Sequence, residues 1–319
     1  MHNALTIDVE DYFQVHAFSH IVAPEKWETF ESRVECNTRR ILDLLASPLN
    51  PRTKVTATFF CLGWVAERYP HLIKEIQDQG HEIACHGYAH QLIYRQSKKE
   101  FKEDIHKAKS ILEDITGHGV IGYRAPSYSI TQESKWVFEV LAEEGFKYDS
   151  SIFPIQHDFY GMPDAPRFPF LVSLNGTGIP EFKSLEYTQT LEFKTLNFEY
   201  KTPNPEPRTP NFIIEFPLST IRIGHFNLPL SGGGYFRLLP YFLVKRGLKS
   251  INQVEGQPFI FYLHPWEVDP AQPRIKAAGL KSRFRHYLNL NKTEGRLKQL
   301  LMDFDFSPLK DLFRILMGS

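Results

Sequence analysis

The sequence predicts an α/β fold built on parallel strands: a closed or nearly closed β/α barrel first, an open doubly wound sheet second. Three observations carry this expectation. Apolar, β-rich runs recur at Ala4–Val9, Val55–Phe60, Glu82–Cys85, Val120–Tyr123 and Phe259–Leu263. Helical patterns separate the early runs, and strand–helix alternation implies parallel strands joined by right-handed crossovers. Proline is scarce in the first 150 residues, whereas 16 of the 22 prolines lie between Pro154 and Pro273. In such folds functional residues sit at the C-terminal ends of strands.

In chain order, Ala4–Val9 is the opening strand and runs into Asp8-Val9-Glu10-Asp11. Arg39–Ala46 has apolar residues at helical spacing, with Asn37 placed to cap it. Val55–Phe60 is the second strand. The helix within Ile73–Cys85 stops at Gly80, and the short strand Glu82–Cys85 follows. Ser97-Lys98-Lys99-Glu100 is a capping-box pattern that opens a helix to about Ile115, stopped by Gly117. Val120–Tyr123 is a strand, and Thr131 starts a helix ending near Gly145. From Pro154 to about Pro210 the chain reads as a loop or hairpin insertion, because Pro203-Asn204-Pro205-Glu206-Pro207 suits neither a helix nor a central strand. Phe259–Leu263 is the last barrel strand. A polar, basic segment follows, then two short helices at about Glu294–Met302 and Pro308–Leu316. The expected organisation is a barrel over residues 1–270, with an insertion at about 154–215, and a C-terminal extension over 271–319 packed on it.

The 37 basic and 37 acidic residues cancel, which argues against a nucleic-acid partner that depends on a global positive field. With 42% hydrophobic and 14% aromatic residues, the chain can bury a core. No apolar run approaches the roughly 18 residues of a transmembrane helix. The opening residues lack the basic and apolar regions of a secretory signal, so a cytoplasmic protein is expected. Cys36, Cys61 and Cys85 include no CxxC pair and are read as reduced core thiols.

Four segments carry chemistry. Three carboxylates in Asp8-Val9-Glu10-Asp11 repel one another unless a cation or shared proton offsets them. His86-Gly87-Tyr88-Ala89-His90 follows a strand, and an H-x-x-x-H pair on one helical turn would present both imidazoles to one divalent ion. Arg124, in Arg124-Ala125-Pro126-Ser127-Tyr128, can grip a carboxylate and keep it ionised. His264, in Phe261-Tyr262-Leu263-His264-Pro265-Trp266-Glu267, is placed as an acid/base group beside an aromatic platform. Trp266, Tyr128, Tyr235 and Phe236 are candidates to stack on sugar rings. Gly232-Gly233-Gly234 lacks a phosphate-loop pattern and is read as an unusual backbone near the barrel mouth. Arg283, Arg285 and His286 are read as a solvated face, or else as a contact for an acidic polymer or lipid carrier.

In this order, TIDVED, GHEIACHGYAH, YRAPSY and FYLHPW resemble the motifs of NodB-type polysaccharide deacetylases, carbohydrate esterase family 4, across residues 6–266. LSGGGYFRLLP, FYLHPWEVDP and SRFRHYLNL resemble the C-terminal region of deacetylases from exopolysaccharide loci associated with exosortase and PEP-CTERM sorting. The resemblance implies a distorted (β/α)7 barrel with a divalent metal at its mouth, Zn²⁺ or else Co²⁺, Mn²⁺ or Ni²⁺. It implies removal of N-acetyl groups from an oligo- or polysaccharide in exopolysaccharide biosynthesis. His86 and His90 would be metal ligands, Asp8 the general base, His264 the general acid and Arg124 the residue that orients the base. Tyr128 would lend a backbone N–H to the oxyanion. The usual adjacent base–ligand pair is absent: a D-x-D spacing points to Glu10 as the third ligand, and the usual ligand type points to Asp11. A D-x-x-x-W motif is degraded, with Asp149 in its place. Two rivals stand beside this expectation: hydrolysis of another non-peptide C–N bond, as in allantoinase-like relatives, and a non-catalytic carbohydrate-binding relative.

Overall fold

The computed structural model describes residues 1–47, 54–157, 160–174, 180–185 and 211–318. Its strands are β1 (His2–Val9), β2 (Thr58–Cys61), β3 (Glu82–Cys85), β4 (Gly122–Tyr123), β5 (Tyr148–Asp149), β6 (Phe170–Ser173), β7 (Glu181–Ser184), β8 (Phe212–Glu215), β9 (Thr220–Ile223), β10 (Phe226–Pro229), β11 (Ile260–Leu263) and β12 (Asp305–Ser307). Its helices are α1 (Val34–Ala46), α2 (Gly63–Arg68), α3 (Pro70–Asp78), α4 (Lys98–Thr116), α5 (Val137–Glu143), α6 (Gly233–Leu238), α7 (Tyr241–Gln253), α8 (Leu280–Tyr287), α9 (Leu290–Asp303) and α10 (Leu309–Met317).

Parallel pairing runs in the order β11-β1-β2-β3-β4-β5-β8, the strand set of a (β/α)7 barrel. The register aligns Cys61, Cys85, Tyr123, Asp149 and Glu215 across neighbouring strands, so the strand ends rise together to one rim. The ladder does not close by strand pairing. Between β8 and β11 the gap is bridged by single contacts: the Ile260 N–H donates to Ser219 Oγ (2.8 Å) and the Tyr262 N–H to the Ser231 carbonyl (2.9 Å). Gly232 makes a lone parallel bridge to Tyr262. Its φ of +143° and the 2.0 Å that would separate an added Cβ from the Tyr262 carbonyl oxygen admit only glycine there.

Strand alternation sorts β1 into two faces. Leu5, Ile7 and Val9 pack with helix residues such as Ile41 and Leu42 in the large outer core. Ala4 joins Phe60, Ala84, Ile214 and Ile260 in a second cluster, floored by Leu309 and Leu312 of α10. Thr6 and Asp8 share the Ala4 face and therefore rise through the barrel interior toward the rim. The C-terminal extension packs on this body, since β12 pairs in parallel with β1 from His2↔Asp305 to Ala4↔Ser307.

Several elements differ from expectation. Phe212–Glu215, within the stretch expected as insertion, is a barrel strand, because it pairs in parallel with β5. The tract Pro203–Pro207 lies outside the described residues. α1 starts at Val34, so Asn37 is inside it and bonds Asp269 rather than capping (Nδ2 to Oδ2, 3.3 Å). Thr131 caps a single 3₁₀ turn, and α5 begins only at Val137. The segment read as merely polar and basic contains α8. Cys36 is exposed on α1, whereas Cys61 and Cys85 are buried. The Ser97 capping box and the left-handed Gly117 stop of α4 are as expected. No helix among the described residues is long and apolar enough to cross a membrane.

Candidate active site

The rim gathers six of the expected residues. Arg124, just past β4, is fully buried under it and places its donors on four acceptors. Nη1 donates to Asp8 Oδ1 (2.7 Å) and Thr6 Oγ1 (2.7 Å), Nε to the Ser150 carbonyl (2.8 Å) and Nη2 to Ser150 Oγ (2.7 Å). Its guanidinium also lies 4.2 Å from the Phe60 ring centroid. A buried arginine so saturated cannot swing, and it fixes the Asp8 carboxylate in place. Burial pushes the Asp8 carboxyl up, but the Arg124 charge foremost, then those of His86 and His264, outweigh it and hold the group below its ordinary range. Tyr128 donates its hydroxyl to Asp8 Oδ2 (3.1 Å).

The two imidazoles stand beside Asp8. His86 donates Nδ1–H to the Arg124 carbonyl (2.8 Å), which leaves the Nε2 lone pair facing the rim. Burial lowers its pKa to about 4, so it is neutral and able to ligate. His90 lies with its ring centroid 5.4 Å from that of His86. The pair is not on a helical turn, as the spacing suggested. Residues 86–90 form a loop after β3, with His90 at φ +51° and Gly87 at φ +72°. That loop is tied from both sides. The first N–H groups of α2 donate to it, Gly63 to the Gly87 carbonyl (2.8 Å) and Trp64 to the Tyr88 carbonyl (3.1 Å). Asp104 of α4 accepts from the Tyr88 N–H (2.8 Å) and the Ala89 N–H (3.2 Å).

Glu10, not Asp11, joins the histidines. One ligand atom each from Glu10, His86 and His90 lies within 4.8 Å of the others. The Glu10 side chain is buried. Burial resists its ionisation, but His90 foremost, by charge and contact, draws its pKa down to about 2. Asp11 points the other way. Its Oδ2 accepts from Ser32 Oγ (2.8 Å) and from the N–H groups of Arg33 (2.8 Å) and Val34 (3.1 Å), and Oδ1 from the Tyr12 N–H (2.9 Å). It anchors the start of α1. The donor set fits a divalent cation. Glu10 Oε2 lies 2.8 Å from His90 Nε2, yet it is buried and accepts no well-directed hydrogen bond. Two imidazoles and one carboxylate suit zinc-like ions and leave coordination positions open.

His264, just past β11, reaches the same carboxylates, with Nε2 at 3.6 Å from Glu10 Oε1 and 3.8 Å from Asp8 Oδ2. Sequence reasoning missed what holds it. Nδ1 lies 2.7 Å from Glu267 Oε1, and Glu267 Oε2 accepts from Arg237 Nε (2.6 Å). Burial lowers the His264 pKa, but the Glu267 bond foremost, with Glu10 and Asp8, carries it up to about 9. The available signal was the i, i+3 spacing of His264 and Glu267 behind Pro265, a capping-box arrangement. Asp149 does not serve here. It pairs with Ser151 and lies beside Glu215 below the rim.

Other expectations are corrected. Trp266 is no sugar platform. Pro265 opens a 3₁₀ turn that buries the indole between His264 (5.1 Å) and His286 (4.1 Å), and its Nε1–H donates to Glu10 Oε1 (3.2 Å). The Tyr128 backbone N–H, expected for an oxyanion, donates to the Ala125 carbonyl (3.1 Å). The Tyr128 ring is buried, and Phe236 lies in the core. Tyr235 remains partly exposed. Arg283, Arg285 and His286 are not one face, because His286 is buried on Trp266.

Parts of the chain match known proteins. Residues 24–148 match the family model "Polysaccharide deacetylase". That stretch resembles a polysaccharide deacetylase domain. Residues 190–314 match a domain of unknown function, DUF3473. A peptidoglycan deacetylase of Helicobacter pylori is 33% identical over 103 residues, 32% of this chain and 33% of that protein. A peptidoglycan-N-acetylglucosamine deacetylase of Bacillus cereus is 34% identical over 103 residues, 32% of this chain and 36% of that protein. The chain thus spans about a third of the length of these curated relatives. Two crystal structures share the fold. One is of a protein described as a polysaccharide deacetylase from Mycobacterium smegmatis (TM-score 0.55, 15% identity, 99% of this chain and 89% of that one). The other is of the Puue allantoinase (TM-score 0.55, 14% identity, 99% and 90%).

Proposed function

We propose that this protein is a metal-dependent deacetylase that removes N-acetyl groups from an amino-sugar-containing polysaccharide or lipid-linked oligosaccharide in exopolysaccharide biosynthesis. The observation that carries the reading is the convergence of Glu10, His86 and His90 within 4.8 Å, flanked by an ionised Asp8 and a protonated His264. Glu10, His86 and His90 would hold the ion, Zn²⁺ by the chemistry of the donors, which when bound polarises a carbonyl and activates water. Asp8 takes a proton from the attacking water as general base, and Arg124 keeps it charged and aimed. His264 donates a proton to the departing amine, with Glu267 and Arg237 holding its ring. Base and acid then serve the two proton transfers that amide hydrolysis requires. Acetate leaves, and the sugar keeps a free amine.

The fold likeness to an allantoinase does not separate the two reaction classes, and the cation-ready donor set favours the deacetylase. The three free thiols suit a reducing compartment such as the cytoplasm. Acetate release from N-acetylated oligosaccharides, before and after chelation, tests the proposal. Activity is expected to vanish with the ion and in His86→Ala. Full activity after complete metal removal would refute it.

A further inference from the structure

Next to the rim lies a surface that the proposed chemistry does not use. No acidic residue occurs between Glu215 and Glu255. This stretch forms the β9–β10 hairpin, α6 and α7. The pairing Ile223↔Phe226 and Ile221↔Leu228 puts these four side chains on one face of the hairpin. The base of that face packs on α7, since a Cβ added at Gly247 would lie 3.3 Å from Ile221. Arg167 fixes the direction by bonding both the Thr220 carbonyl and Glu255, beyond the C-terminal end of α7. β9 therefore runs back along α7 toward its first turn, on the side where Leu243 stands one turn before Gly247.

These side chains are open to solvent. Phe226 is 74% exposed and Phe242 is 67% exposed, and Ile223, Leu228, Leu238 and Leu243 are exposed with them. Basic side chains border them. Phe242, Arg246 and Lys249 lie at i, i+4 and i+7 along one stripe of α7. Arg222, Arg246 and Lys249 are exposed and have no ion-pair partner among the described residues. The two other basic residues of the stretch are engaged, Arg237 by Glu267 and Lys245 by Asp303. Exposed aromatic and aliphatic side chains on the hairpin and α7, with unpaired cations on the same two elements and their one close acid, Asp303, neutralised by Lys245, match the interface of an anionic bilayer.

We propose that the β9–β10 hairpin and the start of α7 seat this protein on anionic lipid. The hairpin is coupled to the rim, because Asn227 Nδ2 donates to the Pro154 carbonyl (2.8 Å) in the loop after β5. In that loop Phe153 stacks on Tyr160, and Tyr160 meets Tyr128, whose hydroxyl reaches Asp8. Seating the hairpin thus brings the rim to the bilayer surface, where a lipid-linked oligosaccharide presents its N-acetyl groups. That last consequence rests on the deacetylase reading; the docking does not.

Cosedimentation with phosphatidylglycerol/phosphatidylcholine vesicles and with pure phosphatidylcholine vesicles tests the docking without any activity assay. The full chain is expected to bind the anionic vesicles only, and to release at high salt. Each basic residue near such a surface is worth about fivefold in partitioning, so Arg246→Glu with Lys249→Glu should weaken binding by at least about 30-fold. Phe226→Ser with Phe242→Ser should weaken it by about tenfold or more. Both double variants should keep the wild-type melting temperature and hydrolysis of a soluble substrate. No binding to anionic vesicles, or binding that both variants retain, would overturn the proposal. So would concentration-dependent self-association abolished by the same variants, which would make this face an interface between copies.

Discussion

Asp11 and Glu10 are adjacent carboxylates with opposite duties, and two substitutions separate them. Asp11→Ala removes the acceptor for three backbone N–H groups, those of Tyr12, Arg33 and Val34, and for the Ser32 hydroxyl. At about 1 kcal/mol per lost bond, and with the start of α1 uncapped, the cost is about 3–4 kcal/mol. At about 1.5 °C per kcal/mol for a chain of 319 residues, the melting temperature should fall by about 4–6 °C. Metal binding should stay within about threefold of wild type. Glu10→Gln does the reverse. The amide keeps an oxygen for the Trp266 indole and the same shape, so the fold holds. The charge that faces His90 is gone, however, and affinity for Zn²⁺ should fall by at least about 100-fold, beyond the usual effect of an outer partner. Calorimetric titration of Zn²⁺ into the metal-free protein, with thermal melts of both variants, provides the assay. A melting temperature unchanged in Asp11→Ala together with lost metal binding, or wild-type metal affinity in Glu10→Gln, would refute the assignment.

Two further outcomes follow from the charges. Glu267 is the leading cause that raises the His264 pKa to about 9, so Glu267→Gln should move the alkaline limb of the kcat profile to lower pH, by about one to two units for a lost charged hydrogen bond; an unmoved limb would leave Glu267 a purely structural residue. His81 is buried against Phe59, accepts from the Ala57 N–H (3.2 Å), and burial lowers its pKa from 6.5 to about 4. Its unfolded form therefore binds the extra proton between those values, and the stability it lends at neutral pH, about 3 kcal/mol, is lost as pH falls from about 6.5 to 4. Urea midpoints at pH 7.5 and 4.5 should show a smaller acid loss in His81→Asn than in wild type, and equal losses would rule the linkage out.

Much of the fold was legible because strand runs and helix stops are local signals. Glu82–Cys85 is a strand with the expected ends, and Ser97 and Gly117 bound α4 as expected. The shape of the His86–His90 segment was not legible, because it depends on donors from α2 and an acceptor from α4, both distant in sequence. The position of Trp266 was hidden for a similar reason: the partner that draws the indole inward, Glu10, lies at the other end of the chain. The choice between Glu10 and Asp11 was within reach. Alternation along β1 puts Thr6 and Asp8 on the barrel face and continues to Glu10, whereas Asp11 falls out of phase.

That alternation also explains how the site is divided. The matched deacetylase stretch holds His86, His90 and Arg124, but neither Asp8, Glu10 nor His264. Asp8 and Glu10 come from the opening strand, ahead of it. His264, Glu267, Trp266 and Arg237 all fall within the stretch matching the domain of unknown function. The opening strand and the second stretch meet through two contacts at the C-terminal ends of β1 and β11. β1 lies beside β11 in register from Ala4↔Ile260 to Ile7↔Leu263, which sets Asp8 next to His264, and the Trp266 indole then closes onto Glu10. Glu267 extends the line outward to Arg237, whose Nη1 donates to the carbonyls of His286 and Leu288 at the end of α8. The stretch 190–314 is therefore not an appendage to a finished barrel. On the proposed reading it supplies the acid side of the site, the first stretch supplies the two histidine ligands and the arginine, and the opening strand supplies the base and the third ligand, so no one part holds the reacting set alone.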